Sequence, residues 1–381
     1  MEQKMGKVEV IKVTSRKQMN EFIRFTDWLY KDCHQYVPDL HSDVRDTFNP
    51  KKNAALQFVQ LQPFIAYKDG KVVGRVTAII NPHANEKWKN HVVRFGMIDF
   101  IDDHDVSRAL LDAVAAWGKE RGMDTIQGPL GITDFDKEGM LLSDYDNLGA
   151  MTEIYNYPYY PEHMEALGFT KAVDWLQIRV AIPAEVPAKY ARVAKLSKEL
   201  FGLHVRKLTA KEIFNGYGER IFDLLNQAYA PLFGFTGFDK KQSMDYLRQY
   251  VPLIDLRMVP VIENDKGELI SIAVTMGSLS HALRRAKGRL LPFGWYWLLR
   301  ALKWHHEHTA GLLLIAVRPD YQGFGVNALI FDDLIPLYNE LDYRYAETGP
   351  QLETNVKELS QWKPLKPEMV KRRRCYTKTI K

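Results

Sequence analysis

The sequence predicts an α/β fold with mixed sheets, built twice in tandem. Three observations carry it: two hairpins of alternating apolar and polar residues, two apolar strands that each run into an amphipathic helix, and a Gly-Pro pair that ends the strand after each helix. The order is the same in both halves, as repetition of one supersecondary arrangement requires.

The first hairpin is PFIAYKDGKVVGRVTAI at 63–79, where period-two alternation around Asp69-Gly70 predicts two antiparallel strands. Its counterpart, VPVIENDKGELISIAVTM at 259–276, turns at Lys266-Gly267. FGMIDFIDD then predicts a strand and DVSRALLDAVAAWGKERG a helix, with Val106, Leu110, Ala113, Val114 and Trp117 on one helical face. In the second half GLLLIAV predicts the strand. A helix begins near Gly325, with Val326, Leu329, Ile330 and Leu334 similarly spaced. MDTIQGPLG ends its strand at Gly128-Pro129, and LDYRYAETGPQ ends its strand at Gly349-Pro350. The second copy carries an insertion, HALRRAKGRLLPFGWYWLLRALKW, between these landmarks. The boundary falls in AIPAEVPAKYARVAKLSKELFG, where Pro183 and Pro187 end a strand and a basic amphipathic helix follows. The expected domains are 1–190 and 191–381.

The chain's 381 residues exceed what one hydrophobic core usually sustains, and 46% hydrophobic with 26% charged residues is the profile of an ordinary folded protein. A net charge of +5 is too small to argue for nucleic acid or an anionic membrane by itself, so an anionic ligand needs a local site. Cys33 and Cys375 match neither a disulfide framework nor a zinc spacing and fit a reducing cytoplasm. No window has the apolar length of a signal peptide core or a transmembrane helix. A cytoplasmic chain with no transmembrane segment and no nucleic-acid partner is expected.

LLLIAVRPDYQGFGVNALI at 312–330 is the segment most suited to chemistry. A strand runs into Arg318-Pro319, then Gln322-Gly323-Phe324-Gly325, then a helix. Two glycines at a helix start let backbone N–H groups turn inward as a nest, and the helix terminus adds partial positive charge, so a phosphate or pyrophosphate is the expected guest. The spacing is neither a P-loop nor GxGxxG.

VRPDYQGFGVNAL resembles the acyl-CoA pyrophosphate loop of the GNAT superfamily of N-acetyltransferases. Gln322, Gly323, Phe324 and Gly325 fall on the loop, while Asn327 stands where the family has Gly or Ala. ETGPQLETN is similar to the family's next strand, with Asn355 opening the following helix, and RRRCYTKTI resembles its closing strand. The resemblance covers roughly 205–381. It implies two tandem GNAT-like domains, the C-terminal one binding acetyl-CoA or another acyl-CoA through Ala316, Val317, Arg318, Gln322, Gly323, Phe324, Gly325, Val326, Asn327 and Asn355. The first half resembles the same fold without this loop: IDDHDVSR places Asp102, Asp103 and Asp105 at the helix start, where carboxylates cap the helix and repel a phosphate.

The implied reaction is acetyl transfer to an amine of a small molecule or peptide. It needs a base for the amine, a donor for the thioester carbonyl and an acid for the leaving thiolate. The resemblance assigns the donor to a backbone N–H near Ala316–Arg318. The family's usual acid, a Tyr about seven residues after the helix Asn, falls on Trp362, so the acid is absent or comes from elsewhere. By topology Glu347 is the first choice for the base, followed by Glu353; Tyr376 and His281 are further candidates. A non-catalytic acyl-CoA-binding scaffold and a lipid N-acyl or aminoacyl transferase on the same fold are the rival readings.

Other motifs carry less. HHEH (His305, His306, His308) lacks metal-ligand spacing, and DFDKEG (Asp134, Asp136, Glu138) departs from a calcium loop at Leu142 and Tyr145. No metal site is expected. KRRR at 371–374 reads as a solvated strand face or a cofactor contact, and YNYPYY as packing. RLLPFGWYWLLRALKW reads as a helix covering a sheet, or as a surface that touches membrane or a lipophilic acceptor.

Overall fold

The computed structural model describes residues 6–304 and 307–380. The chain forms two compact units, each drawn from separate stretches of sequence. Unit 1 takes the residues up to Trp175, Ser280–Trp297 and those from Lys371 onward; unit 2 takes Leu176–Leu279 and Leu298–Val370.

Unit 1 begins as an antiparallel meander. β1 (Glu9–Lys12) pairs with β2 (Gln60–Lys68), β2 with β3 (Lys71–Ile80), and β3 with β4 (Val92–Phe100). Lys68 faces Lys71 across the predicted turn, where Asp69 and Gly70 take φ of 50° and 73°. Two left-handed residues match the twist of the flanking strands, which is why Asp-Gly stands there. β4 runs parallel to β5 (Thr125–Gly128), so the chain must cross over, and the helix His104–Lys119 does so. Its face of Val106, Leu110, Val114 and Trp117 is buried against Val76, Phe95 and Phe100. A Cβ on Gly74 would stand 2.7 Å from Leu110 Cδ1, so the helix lies close on the sheet because β3 has no side chain there. β6 (Met140–Leu141) follows, then β7 (Thr170–Ala181), whose residues from Leu176 belong to unit 2.

In unit 2, β8 (His204–Arg206), β9 (Val261–Glu263), β10 (Leu269–Gly277) and β11 (Thr309–Val317) pair antiparallel in that order. β11 is parallel to β12 (Tyr345–Thr348), and the helix Val326–Glu340 makes the crossover. The end of β7 pairs antiparallel with β12, Glu347 opposite Arg179. β13 (Gln351–Leu352) and the short helix Val356–Gln361 complete the unit. Its core joins Ile270, Ala310, Leu329, Leu334 and Ala346 to Tyr190 and Ala194 of the helix Ala188–Phe201.

β14 (Glu368–Thr379), expected to close the second copy, pairs with β5 and β6 of unit 1: Tyr376 faces Gly128 and Arg373 faces Leu141. The two halves exchange closing strands, and the units therefore differ from a contiguous division at 190/191. Charge gives the physical reason. Lys371 and Arg373 are buried with Glu153 at 2.9 and 2.7 Å, and Arg372 and Arg374 hold Asp174 at 3.1 and 2.8 Å. Leaving such buried carboxylates unpaired would cost roughly 3–5 kcal/mol. KRRR is thus ion-paired throughout, with Lys371 and Arg373 inside and Arg372 and Arg374 half-buried on the opposite face of the strand.

Candidate functional site

β10 lines β11 along its length, but β12 lines the opposite edge only for Thr309–Leu312. Gly349 N–H bonds the Leu312 carbonyl at 3.0 Å, and Pro350 has no N–H with which to continue the ladder. From Leu313 onward that edge is open. Leu312, Leu313, Leu314, Ile315 and Val317 are only half-buried despite lying on an interior strand. Arg318 N–H donates to Ile270 (2.8 Å) and Ser271 Oγ to the Ala316 carbonyl (2.7 Å), so residues 316 and 318 face β10. By antiparallel alternation the Val317 N–H faces the open edge. The Tyr229 hydroxyl donates to the Ile315 carbonyl on that edge at 3.0 Å.

The loop after β11 folds as a nest. Gly323 and Gly325 take φ of 91° and 76°, and Gly325 caps the helix Val326–Glu340 with no side chain. The N–H groups of Gly323, Gly325, Val326 and Asn327 have no hydrogen-bond partner among the described residues. Such donors at a helix start, with the helix dipole behind them, suit an anion. A Cβ on Gly325 would stand 2.3 Å from Val193 Cγ1 of the helix Ala188–Phe201, so the position requires glycine for space as well as for φ. Ser197 Oγ holds the Phe324 carbonyl at 2.8 Å, and Phe324 stacks on Phe201. Arg318 is committed to Asp320 and Glu268, and Gln322 is exposed. Attraction for an anion therefore rests on backbone donors more than on free cations.

Behind the loop lies a relay of amides. Asn327 Nδ2 donates to Gln361 Oε1, Gln361 Nε2 to Glu358 Oε1, and Gln351 Nε2 to the same Glu358 oxygen at 3.2 Å. Burial pushes the Glu358 carboxyl up to about 7, with the Gln361 amide partly offsetting it. Asn327 turns its amide into this relay, which leaves its backbone N–H at the nest; its Oδ1 is buried without a partner. Asn355 caps the helix Val356–Gln361, accepting from Glu358 N–H at 3.4 Å. Trp362 is a wall: it is buried edge-on against Phe331 with its indole N–H on Gln351.

Ala316, Val317, Arg318, Gln322–Asn327 and Asn355 thus all lie in unit 2, on β11, on the loop and helix start that follow it, and on the next cap. Glu347 sits in the paired part of β12, with Oε1 accepting from Arg179 Nε at 2.7 Å. Glu353 is half-buried between β13 and the Val356–Gln361 helix. Tyr376 lies in the core of unit 1, its pKa raised to about 12 chiefly by burial and its hydroxyl unpartnered. The strand exchange removes it from the unit that carries the loop. His281 is exposed on a unit 1 helix, Ser280–Ala286.

Sequence reasoning missed Tyr229, Gln361 and Glu358. Asn355 followed three residues later by Glu358 reads as a capping box, but the carboxylate turns to Gln351 and Gln361 instead. Nothing local marks Tyr229.

The corresponding connection in unit 1 is closed. Asp103 caps the helix, accepting from Asp105 N–H at 2.9 Å, and holds Lys68 at 2.6 Å. Asp102 reaches His163, whose other nitrogen meets Ser107. Burial alone would raise the Asp103 pKa, but Lys68 and the backbone donors outweigh it and hold the carboxyl below its ordinary range.

Among the weaker motifs, His305 and His306 lie outside the described residues. Asp136 is spent on the Ile132 and Thr133 N–H groups at 2.8 Å each. No group of three His, Cys, Asp or Glu able to hold a metal occurs among the described residues. Tyr157, Tyr159 and Tyr160 of YNYPYY pack in or against the unit 1 core.

No protein-family model matches the chain. It is 28% identical over 373 residues to Protein YghO of Escherichia coli K12, covering 96% of this chain and 94% of that one. It is 26% identical over 316 residues to a bacterial ceramide synthase of Caulobacter vibrioides, covering 83% and 82%. Among solved structures, a tandem GNAT protein from the clavulanic acid biosynthesis pathway superposes with a TM-score of 0.56 at 13% identity, covering 98% of this chain and 99% of that one. The repeated order of elements, the strand that parts from its neighbour, the glycine nest and this full-length superposition agree: the chain is a tandem GNAT-fold protein.

Proposed function

We propose that the chain is an acyl-CoA-dependent N-acyltransferase whose acceptor is a lipid-like amine. The observation that carries the acyl-CoA assignment is the set of four N–H groups, of Gly323, Gly325, Val326 and Asn327, unpartnered among the described residues beside the open edge of β11. The residues fit the group: Gly323 and Gly325 leave backbone bare, and the strand beside them is apolar and half-buried at Leu313 and Leu314. Bound there, an acyl-CoA supplies a thioester carbonyl open to attack by the amine. The relative named a ceramide synthase, matched over most of both chains, favours a lipid acceptor and a long acyl chain over acetyl transfer to a small amine.

The Val317 N–H serves as donor to the carbonyl oxygen. Glu358, with a pKa near 7, accepts the amine proton in preference to Glu347, which Arg179 already engages, and to Glu353. Tyr229 takes the place left by Trp362 and donates a proton at sulfur as the carbon–sulfur bond breaks and the amide forms.

Thiol release measured with acetyl-CoA and with a long-chain acyl-CoA, across small amines and single-chain amino lipids, tests the reading. Release that requires both the long chain and the lipid amine supports it. Release with acetyl-CoA and a small amine returns the reaction to acetyl transfer. Binding without release across the panel makes the protein an acyl-CoA scaffold, and no binding overturns the assignment.

A further inference from the structure

In the insertion that the second copy carries, residues 287–293 form the tip between the helices Ser280–Ala286 and Gly294–Lys303. The base is tied: His41 N–H bonds the Gly288 carbonyl at 2.8 Å and Arg289 N–H bonds Ala286 at 3.0 Å. Trp295 closes the tip on itself, its N–H on Leu290 (2.8 Å) and its Nε1 on Pro292 (2.9 Å). Beneath, Ala282, Leu283 and Ala286 are buried. The outward side chains are large and apolar: Leu291 is 76% exposed, Phe293 69% and Trp295 49%, with Leu290 and Tyr296 beside them. A held tip presenting contiguous exposed apolar groups of this size marks an interaction surface.

Within the insertion itself the charge is of one sign; at its base Asp39 lies beside Gly288 and is held by Lys137 at 2.6 Å. No Asp or Glu occurs between Glu268 and Glu307, while Arg284, Arg285, Lys287, Arg289, Arg300 and Lys303 do. Arg285, Lys287 and Arg289 are exposed next to the tip. Trp and Tyr with basic residues around an apolar wedge is the composition that settles at the boundary between lipid headgroups and chains. No described helix is long and apolar enough to cross a membrane, so attachment of this kind would be to the surface. A symmetric dimer through the same patch would press one basic patch against another, which like-charge repulsion disfavours.

We infer that the tip formed by Leu290, Leu291, Phe293, Trp295 and Tyr296, with Arg285, Lys287 and Arg289, docks the protein onto an anionic lipid surface. The docking goes beyond the acyl-transfer reading and is measured without any acyl donor, so either can fail while the other stands.

The test is sedimentation of the full chain with vesicles of phosphatidylcholine, alone or mixed with phosphatidylglycerol. The protein sediments with the anionic vesicles, and salt releases it because exposed charges are screened. Leu291→Glu with Phe293→Glu abolishes sedimentation while the circular dichroism spectrum is unchanged. Lys287→Gln with Arg289→Gln weakens it about twenty-fivefold, from roughly fivefold per charge near an anionic surface. Wild-type protein that ignores both vesicles, binds neutral vesicles equally well, or binds unchanged in the Leu291/Phe293 variant overturns the inference. So does sedimentation velocity showing that this variant merely dissolves a dimer.

Discussion

The two crossover helices of this protein begin in opposite ways. In unit 1 the helix start is closed by its own carboxylate, Asp103, which takes the Asp105 N–H and is neutralised by Lys68. In unit 2 the equivalent start has Gly325 in place of a capping side chain, and its first donors have no partner among the described residues. A helix terminus needs its donors satisfied, and a side chain or a ligand can do it. Unit 1 satisfies its donors itself, while on the proposed reading unit 2 keeps them for a ligand. One fold used twice thus carries one helix start closed by its own side chain and one left open, and the difference lies in a few residues.

The largest effect should come from closing the open terminus. Gly325→Val introduces a branched side chain at φ 76°, against Val193. Losing two charge-assisted hydrogen bonds predicts roughly a thousandfold weaker CoA binding by calorimetry. The fold itself loses about 1–3 kcal/mol, read by denaturant titration. Gly323→Ala separates strain from blockage: its Cβ meets nothing within 4 Å, so stability falls by about 1–2 kcal/mol while any loss of binding reports the nest.

Next in size is Glu358→Gln, with acyl transfer slowed on the order of a hundredfold. The wild-type rate should rise with pH through an apparent pKa near 7, and that limb should vanish in the variant but persist in Glu347→Gln. Stability moves the other way. A carboxyl raised from 4.5 to about 7 keeps its proton in the folded state while the unfolded state loses it, so stability falls as pH rises between those values and then levels. Glu358→Gln removes this slope, which thermal unfolding at a series of pH values will show.

The smallest effect should come from the closed terminus. Asp103→Ala loses a cap, costing about 1 kcal/mol, and leaves CoA binding unchanged. Because the Asp103 carboxyl is depressed below its ordinary 3.8, its contribution is complete above that value and fades as pH falls through the folded pKa. Wild type and variant should therefore converge in stability in acid.

Local signals made one level of this legible. Asp69-Gly70, the helical face of Val106 to Trp117, and the nest at Gln322–Gly325 stand where the sequence places them, because turn chemistry, periodicity and backbone freedom act over a few residues. The exchange of β7 and β14 was hidden, since the partners of Lys371 and Arg373 lie more than two hundred positions away at Glu153. Glu358 was hidden because its pKa comes from burial, which a capping pattern does not report. Tyr229 follows a helix distant in sequence from the strand edge it meets.

Thermal shift of the full chain with CoA tests the contrast between the termini most directly. CoA should raise the melting temperature of the wild type and of Asp103→Ala by the same amount and leave Gly325→Val unmoved. A Gly325→Val protein that keeps the full shift, or an Asp103→Ala protein that loses it, would mean that the open helix start of unit 2 is not where CoA binds.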